Sequence, residues 1–174
     1  STLTYNNLRS YLAGIISLLS IFLFGQQESI NHSIYLIGDA GASTYEDSVM
    51  NNLHQKLLKE DSNSTIVFLG DNIYPLGLSN IDSKTRREEE QLLNIQLSKL
   101  TEFKGQTIVL PGNHDYARGH KQGSQHIQNQ TNYVNKILGD STFKPYNGCP
   151  DPVEVHLNEN LVMIVLDTEW PLYA

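Results

Sequence analysis

From Ser33 onward the chain alternates short apolar runs with amphipathic stretches. "SIYLIGD" (33–39), "STIVFLGD" (64–71) and "QTIVLPGNHD" (106–115) are rich in β-formers, and each breaks off in polar residues. Between them, apolar residues recur at helical spacing. Val49, Leu53 and Leu57 share one face of a helix predicted over about Tyr45 to Glu60. Leu93, Leu97 and Leu100 do the same in a charged helix over about Thr85 to Phe103, and "KTRREEE" is its solvated start. A third helix spans roughly Gln125 to Leu138. Strand, helix, strand, helix, strand, helix predicts an α/β fold with parallel strands and crossover helices. The texture then changes. After the loop "YNGCPDP", the runs "VEVHL" and "LVMIVLD" read as a hairpin joined at Asn158 to Asn160.

In sheets of this kind the functional loops gather beyond the carboxyl ends of the strands. Asp39, Asp71 and the trio Asn113, His114 and Asp115 stand at three such ends, so they are expected to converge. Gly38 and Gly70 precede the two aspartates and let the backbone turn sharply there. Two carboxylates brought together repel unless cations lie between them or one keeps a proton. Asn113 adds a neutral oxygen. An Asp, Asn and His set suits Mn, Fe, Zn or Mg. Singly, each polar stop reads as a turn or a helix cap. Three in succession read as a site.

Composition narrows the partners. A net charge of −7 gives no general electrostatic support for nucleic-acid binding. Cys149 is the single cysteine, which excludes an intrachain disulfide and a cysteine-built zinc site. There is no Gly-x-Ser-x-Gly elbow to support a serine hydrolase. Asn31, Asn63 and Asn129 open Asn-x-Ser/Thr triplets, which carry little weight alone. Arg9 precedes an apolar run from Tyr11 to Phe24. A signal-peptide core is about 7–15 residues and a spanning helix about 20, so residues 1–27 read best as an export signal. An uncleaved membrane anchor and a buried helix are the alternatives. The expected location is outside the cytoplasm, with membrane association through this segment if it is retained.

"GDAG" (38–41), "GDNIY" (70–74) and "GNHD" (112–115) resemble the first three motifs of the calcineurin-like metallophosphoesterases, in order and in strand context. Asp39-Ala40-Gly41 lacks the His of the usual Asp-x-His, and Tyr74 stands three residues after Asp71. Both features are similar to the purple acid phosphatases, although Ala40 stands where that branch often has Trp. The resemblance implies that residues 33–174 are the N-terminal portion of a four-layer α/β/β/α sandwich. It implies two metal ions (Fe, Mn or Zn), with Asp39 and Tyr74 on the first, Fe(III), Asp71 bridging both, and Asn113 on the second. It implies that His114 supports the phosphate or its leaving group, and that Asp115 orients His114. The reaction implied is hydrolysis of phosphate mono- or diesters by a metal-bound hydroxide. The family's later motifs, a single His and a Gly-His-x-His, are not supplied by His120, His126 or His156. The expectation is therefore a fragment of a longer protein, with incomplete metal spheres when alone. The competing reading is a metal-binding or scaffolding module of a larger cell-envelope protein.

Overall fold

The computed structural model describes residues 30–146 and 151–170. The apolar run Tyr11–Phe24 and Cys149 lie outside the described residues. Among the described residues no helix is long and apolar enough to cross a membrane.

Strands β1 (Ser33–Ile37), β2 (Ser64–Phe68) and β3 (Gln106–Val109) form a parallel sheet in the order β1-β2-β3. The central strand, β2, is buried along its whole length, which suits its continuous apolar run Ile66, Val67 and Phe68. Period-2 alternation then sorts side chains between two cores. Ile66, Phe68 and Val109 pack with Met50, Leu53 and Leu57 of α1 (Ser48–Leu57), Leu93 and Leu97 of α2 (Arg86–Leu97), and Ile127 and Val134 of α3 (Gly123–Leu138). Val67 and Ile108, on the opposite face, pack with Val155 and Val165 of the hairpin. That hairpin pairs β4 (Val153–Asn158) with β5 (Leu161–Val165) antiparallel, as expected. The result is a helix layer, a parallel sheet and a second sheet layer. The three helices share one core because right-handed crossovers in a sheet growing in one direction all fall on the same face.

Helix α1 is shorter than the periodicity predicts. Asp47 caps it, accepting from the backbone N–H of Val49 (2.8 Å) and Met50 (3.1 Å), a contribution of about 1 kcal/mol. Val49 is 67% exposed at the rim, and Met50 is turned inward instead, with Leu53 and Leu57. Helix α2 also stops early, at Leu97, and Leu100 reaches the core from the turn that follows. Helix α3 begins at Gly123, two residues ahead of expectation. A Cβ on Gly123 would lie 2.4 Å from the Tyr116 carbonyl oxygen, so only glycine allows the helix to start against that loop.

Candidate metal centre

The three polar strand ends meet, and the loop after the central strand ties them together. Gly41 N–H donates to the Asp71 carbonyl (2.9 Å), Tyr74 N–H to the Gly41 carbonyl (3.2 Å), and Asp39 N–H to the Gly70 carbonyl (3.2 Å). From the other side His114 N–H donates to Asp71 Oδ1 (3.0 Å). The contacts are close enough to exclude side chains. A Cβ on Gly112 would sit 2.4 Å from Asp71 Oδ1. The tight turns fall partly on the aspartates themselves, since Asp39 (φ 58°) and Asp71 (φ 55°) both occupy the left-handed region. Only Gly70 (φ 107°), of the two preceding glycines, shares that burden. Non-glycine residues in this region cost energy, and such strain concentrates at functional sites.

The side chains form one oxygen-rich cluster. Tyr74 hydroxyl donates to Asp39 Oδ1 at 2.7 Å and approaches Asp71 Oδ2 at 3.1 Å. Its phenol is held well above its ordinary pKa, first by the hydrogen bond to Asp39, then by desolvation and the Asp71 charge. A cation bound here would take that proton's place between the two carboxylates. The Asn113 amide lies 3.2 and 3.3 Å from the two Asp71 oxygens. With its nitrogen inward it donates to both; with its oxygen inward, oxygens converge from Asp71 and Asn113, and a cation would satisfy them. Among the described residues no three His, Cys, Asp or Glu side chains gather into a metal-holding group. The cluster instead joins two carboxylates with a phenol and an amide. That donor set fits hard, oxygen-seeking cations.

His114 sits beside this cluster and not in it. Its Nδ1 lies 2.7 Å from the Pro75 carbonyl oxygen, and its ring meets Tyr74 edge-on with centroids 4.3 Å apart. A carbonyl only accepts, so Nδ1 carries the proton and Nε2 is left for other work.

Asp115 does not orient His114. It is fully buried and accepts from the backbone N–H of Gly112 (2.8 Å), Asn72 (3.1 Å) and Ile73 (3.2 Å), and from Asn72 Nδ2 (3.2 Å). A carboxylate shut away from water needs donors, and the loop amides after β2 and β3 supply them. Burial pushes its carboxyl up to about 6, while the Gly112 and Asn72 N–H groups pull it back. Asp115 is thus a clamp between the Asp71 loop and the Asn113 loop. Asp115→Ala should cost about 3 kcal/mol or more, because several donors lose their acceptor at once. Urea unfolding checks this, and a loss below about 1 kcal/mol would sink the clamp.

Sequence reasoning missed the residues beneath the clamp. Buried Asn72 donates to the Leu110 carbonyl (2.7 Å), and Gln96 donates to the Asn72 carbonyl (2.8 Å). A signal existed for Gln96: it is a polar residue one position from Leu97 on a stretch that turns inward. The remaining histidines stand elsewhere. His156 pairs with Glu154 on the exposed face of β4 (3.1 Å). His120 and His126 line a small cavity of about 210 Å³ with Leu76, Ala117 and Gln122.

A family model for calcineurin-like phosphoesterases matches residues 32–168. The chain belongs to that family, whose members generally bind two metal ions and act on phosphate esters. Comparison with curated proteins and with solved structures returned no match.

Proposed function

We propose that this chain carries part of the dinuclear centre of a purple acid phosphatase-like enzyme that hydrolyses phosphate mono- or diesters. The observation that carries the proposal is the Tyr74 hydroxyl, which touches the carboxylates of both Asp39 and Asp71. In this reading Asp39 and Tyr74 hold a ferric ion, Asp71 serves both metals, and Asn113 serves the second, which is Fe, Mn or Zn. Bound there, the two cations supply Lewis acidity for the phosphate and acidify a water. The chain's own groups do the rest. His114 keeps Nδ1 on Pro75 and offers Nε2 to a phosphate oxygen or to the leaving oxygen, which it can protonate. Asp115 keeps the Asp71 and Asn113 loops at a constant separation.

The proposal includes further polypeptide that supplies the histidines absent from this sequence. Two uncovered sheet faces support it. Ile34 and Leu36 lie on the hairpin-side face of β1, where Leu36 is in register with Val67, yet Leu36 is 59% exposed. On the outer side of the hairpin Ile164 is 57% exposed, with Val162 and Leu166 beside it. Sheets bury such faces under another layer. The segment Tyr11–Phe24 is read, in the same proposal, as an export signal or anchor.

Colour tests the ligand set. The full-length protein loaded with iron should show a tyrosinate-to-iron charge-transfer band, and Tyr74→Phe should bleach it. A colourless enzyme fully active with manganese or zinc would remove Tyr74 from the ligands.

A further inference from the structure

The loop that carries Tyr74 is fastened from outside the motif. As it leaves the pocket, helix α3 meets it at one backbone carbonyl after another. His126 Nδ1 lies 2.6 Å from the Leu76 carbonyl oxygen, so that nitrogen donates. Asn129 Nδ2 donates to the carbonyls of Leu78 (3.1 Å) and Ser79 (3.0 Å) and to Asn80 Oδ1 (3.2 Å). Residues three apart on a helix share a face, so His126 and Asn129 act on one strip of loop. Helix α2 grips the same point: Glu89 Oε2 accepts from Ser79 N–H (2.8 Å) and Oγ (2.6 Å), and Arg86 donates to the Ser79 carbonyl (2.5 Å). Leu78 is fully buried beneath these bonds. At its start the loop is pinned by His114 on Pro75.

We propose that His126 and Asn129 are positioning residues for Tyr74. They hold residues 76–80 on α3, so that the phenolic oxygen stays between Asp39 and Asp71. This rests on the reading of Tyr74 as a metal ligand. A ligand on a loop binds well only when its supports have already removed the loop's freedom. The geometry also reassigns Asn129: its amide is committed to three acceptors, which leaves it unsuited to carry a glycan despite its Asn-x-Thr triplet.

The test uses the full-length protein, with Fe(III) binding measured by competition against citrate and hydrogen exchange measured on the metal-free form. Asn129→Asp keeps the shape but turns a carboxylate oxygen toward three acceptors; His126→Ala removes the other donor. Both should weaken Fe(III) binding about tenfold and speed exchange at the Gly77 and Ser79 amides, with β2 unchanged. His126→Asn should restore binding, because its Nδ2 can take the place of the imidazole Nδ1. His120→Ala, in the same cavity without a side-chain bond to the loop, should bind as the wild type does. Wild-type affinity in both His126→Ala and Asn129→Asp overturns the inference. So does faster exchange with unchanged affinity, which would make the fastening irrelevant to the metal. If Asn129→Asp does not fold, the half-buried His126→Ala decides. Tyr74→Phe separates the two levels. Unchanged Fe(III) binding there removes the underlying reading; weakened binding there, with His126→Ala and Asn129→Asp intact, removes this inference alone.

Discussion

Asp71→Ala should abolish metal binding and phosphate-ester hydrolysis together, while the chain stays folded. Its carboxylate faces more of the cluster than any other group described. Tyr74 hydroxyl approaches one oxygen, His114 N–H holds the other, and the Asn113 amide lies within 3.3 Å of both. On the proposed reading, removing it takes away the carboxylate that would serve both cations. The fold does not depend on it in the same way. Asp71 is only half-buried and its carboxylate lies close to that of Asp39, so its loss relieves repulsion and leaves the core untouched. Metal content by elemental analysis, activity on a phosphate ester and a thermal melt measured together decide the point. Retained metal with lost activity would place Asp71 outside the coordination sphere; lost folding would make it a structural residue.

His114→Ala should lower turnover by about 10²–10⁴-fold with both metals still bound, as removal of an acid–base group does. The geometry separates its two duties. Nδ1 is committed to the Pro75 carbonyl, so only Nε2 is available to a substrate oxygen. His114→Asn can keep the bond to Pro75 and lacks Nε2. It should therefore be as slow as alanine if the proton is what matters, and nearly normal if His114 only props the Tyr74 loop. Metal loss in either variant would move His114 into the coordination sphere.

Much of this was legible in the sequence, because it is carried by local pattern. Short apolar runs rich in β-formers form strands where a sheet is covered, and the three runs paired in chain order as parallel strands. The polar residues that end them had to gather, since parallel strands point the same way. Helix limits were less legible. Asp47 stopped α1 short through a cap that hydrophobic spacing does not register, and Met50, three residues before Leu53, took the buried place that spacing gave to Val49. Asp115 shows the harder failure. Adjacent in sequence to His114, it was expected to serve it, but neighbouring residues on a turn point in different directions. Burial sent this carboxylate to the amides of Gly112, Asn72 and Ile73 instead.

The sequence by itself determined the α/β order, the family and the identity of the polar groups at three strand ends. All of these follow from periodicity and from contiguous motifs. Only the tertiary structure decided how those groups are held. His114 leans on Pro75, Asp115 clamps two loops, and His126 and Asn129 reach back about 50 residues to fasten the Tyr74 loop. Such bonds join residues far apart in the chain through backbone carbonyls and amides, which every residue carries. No side-chain pattern announces them, so they become visible only once the chain is folded.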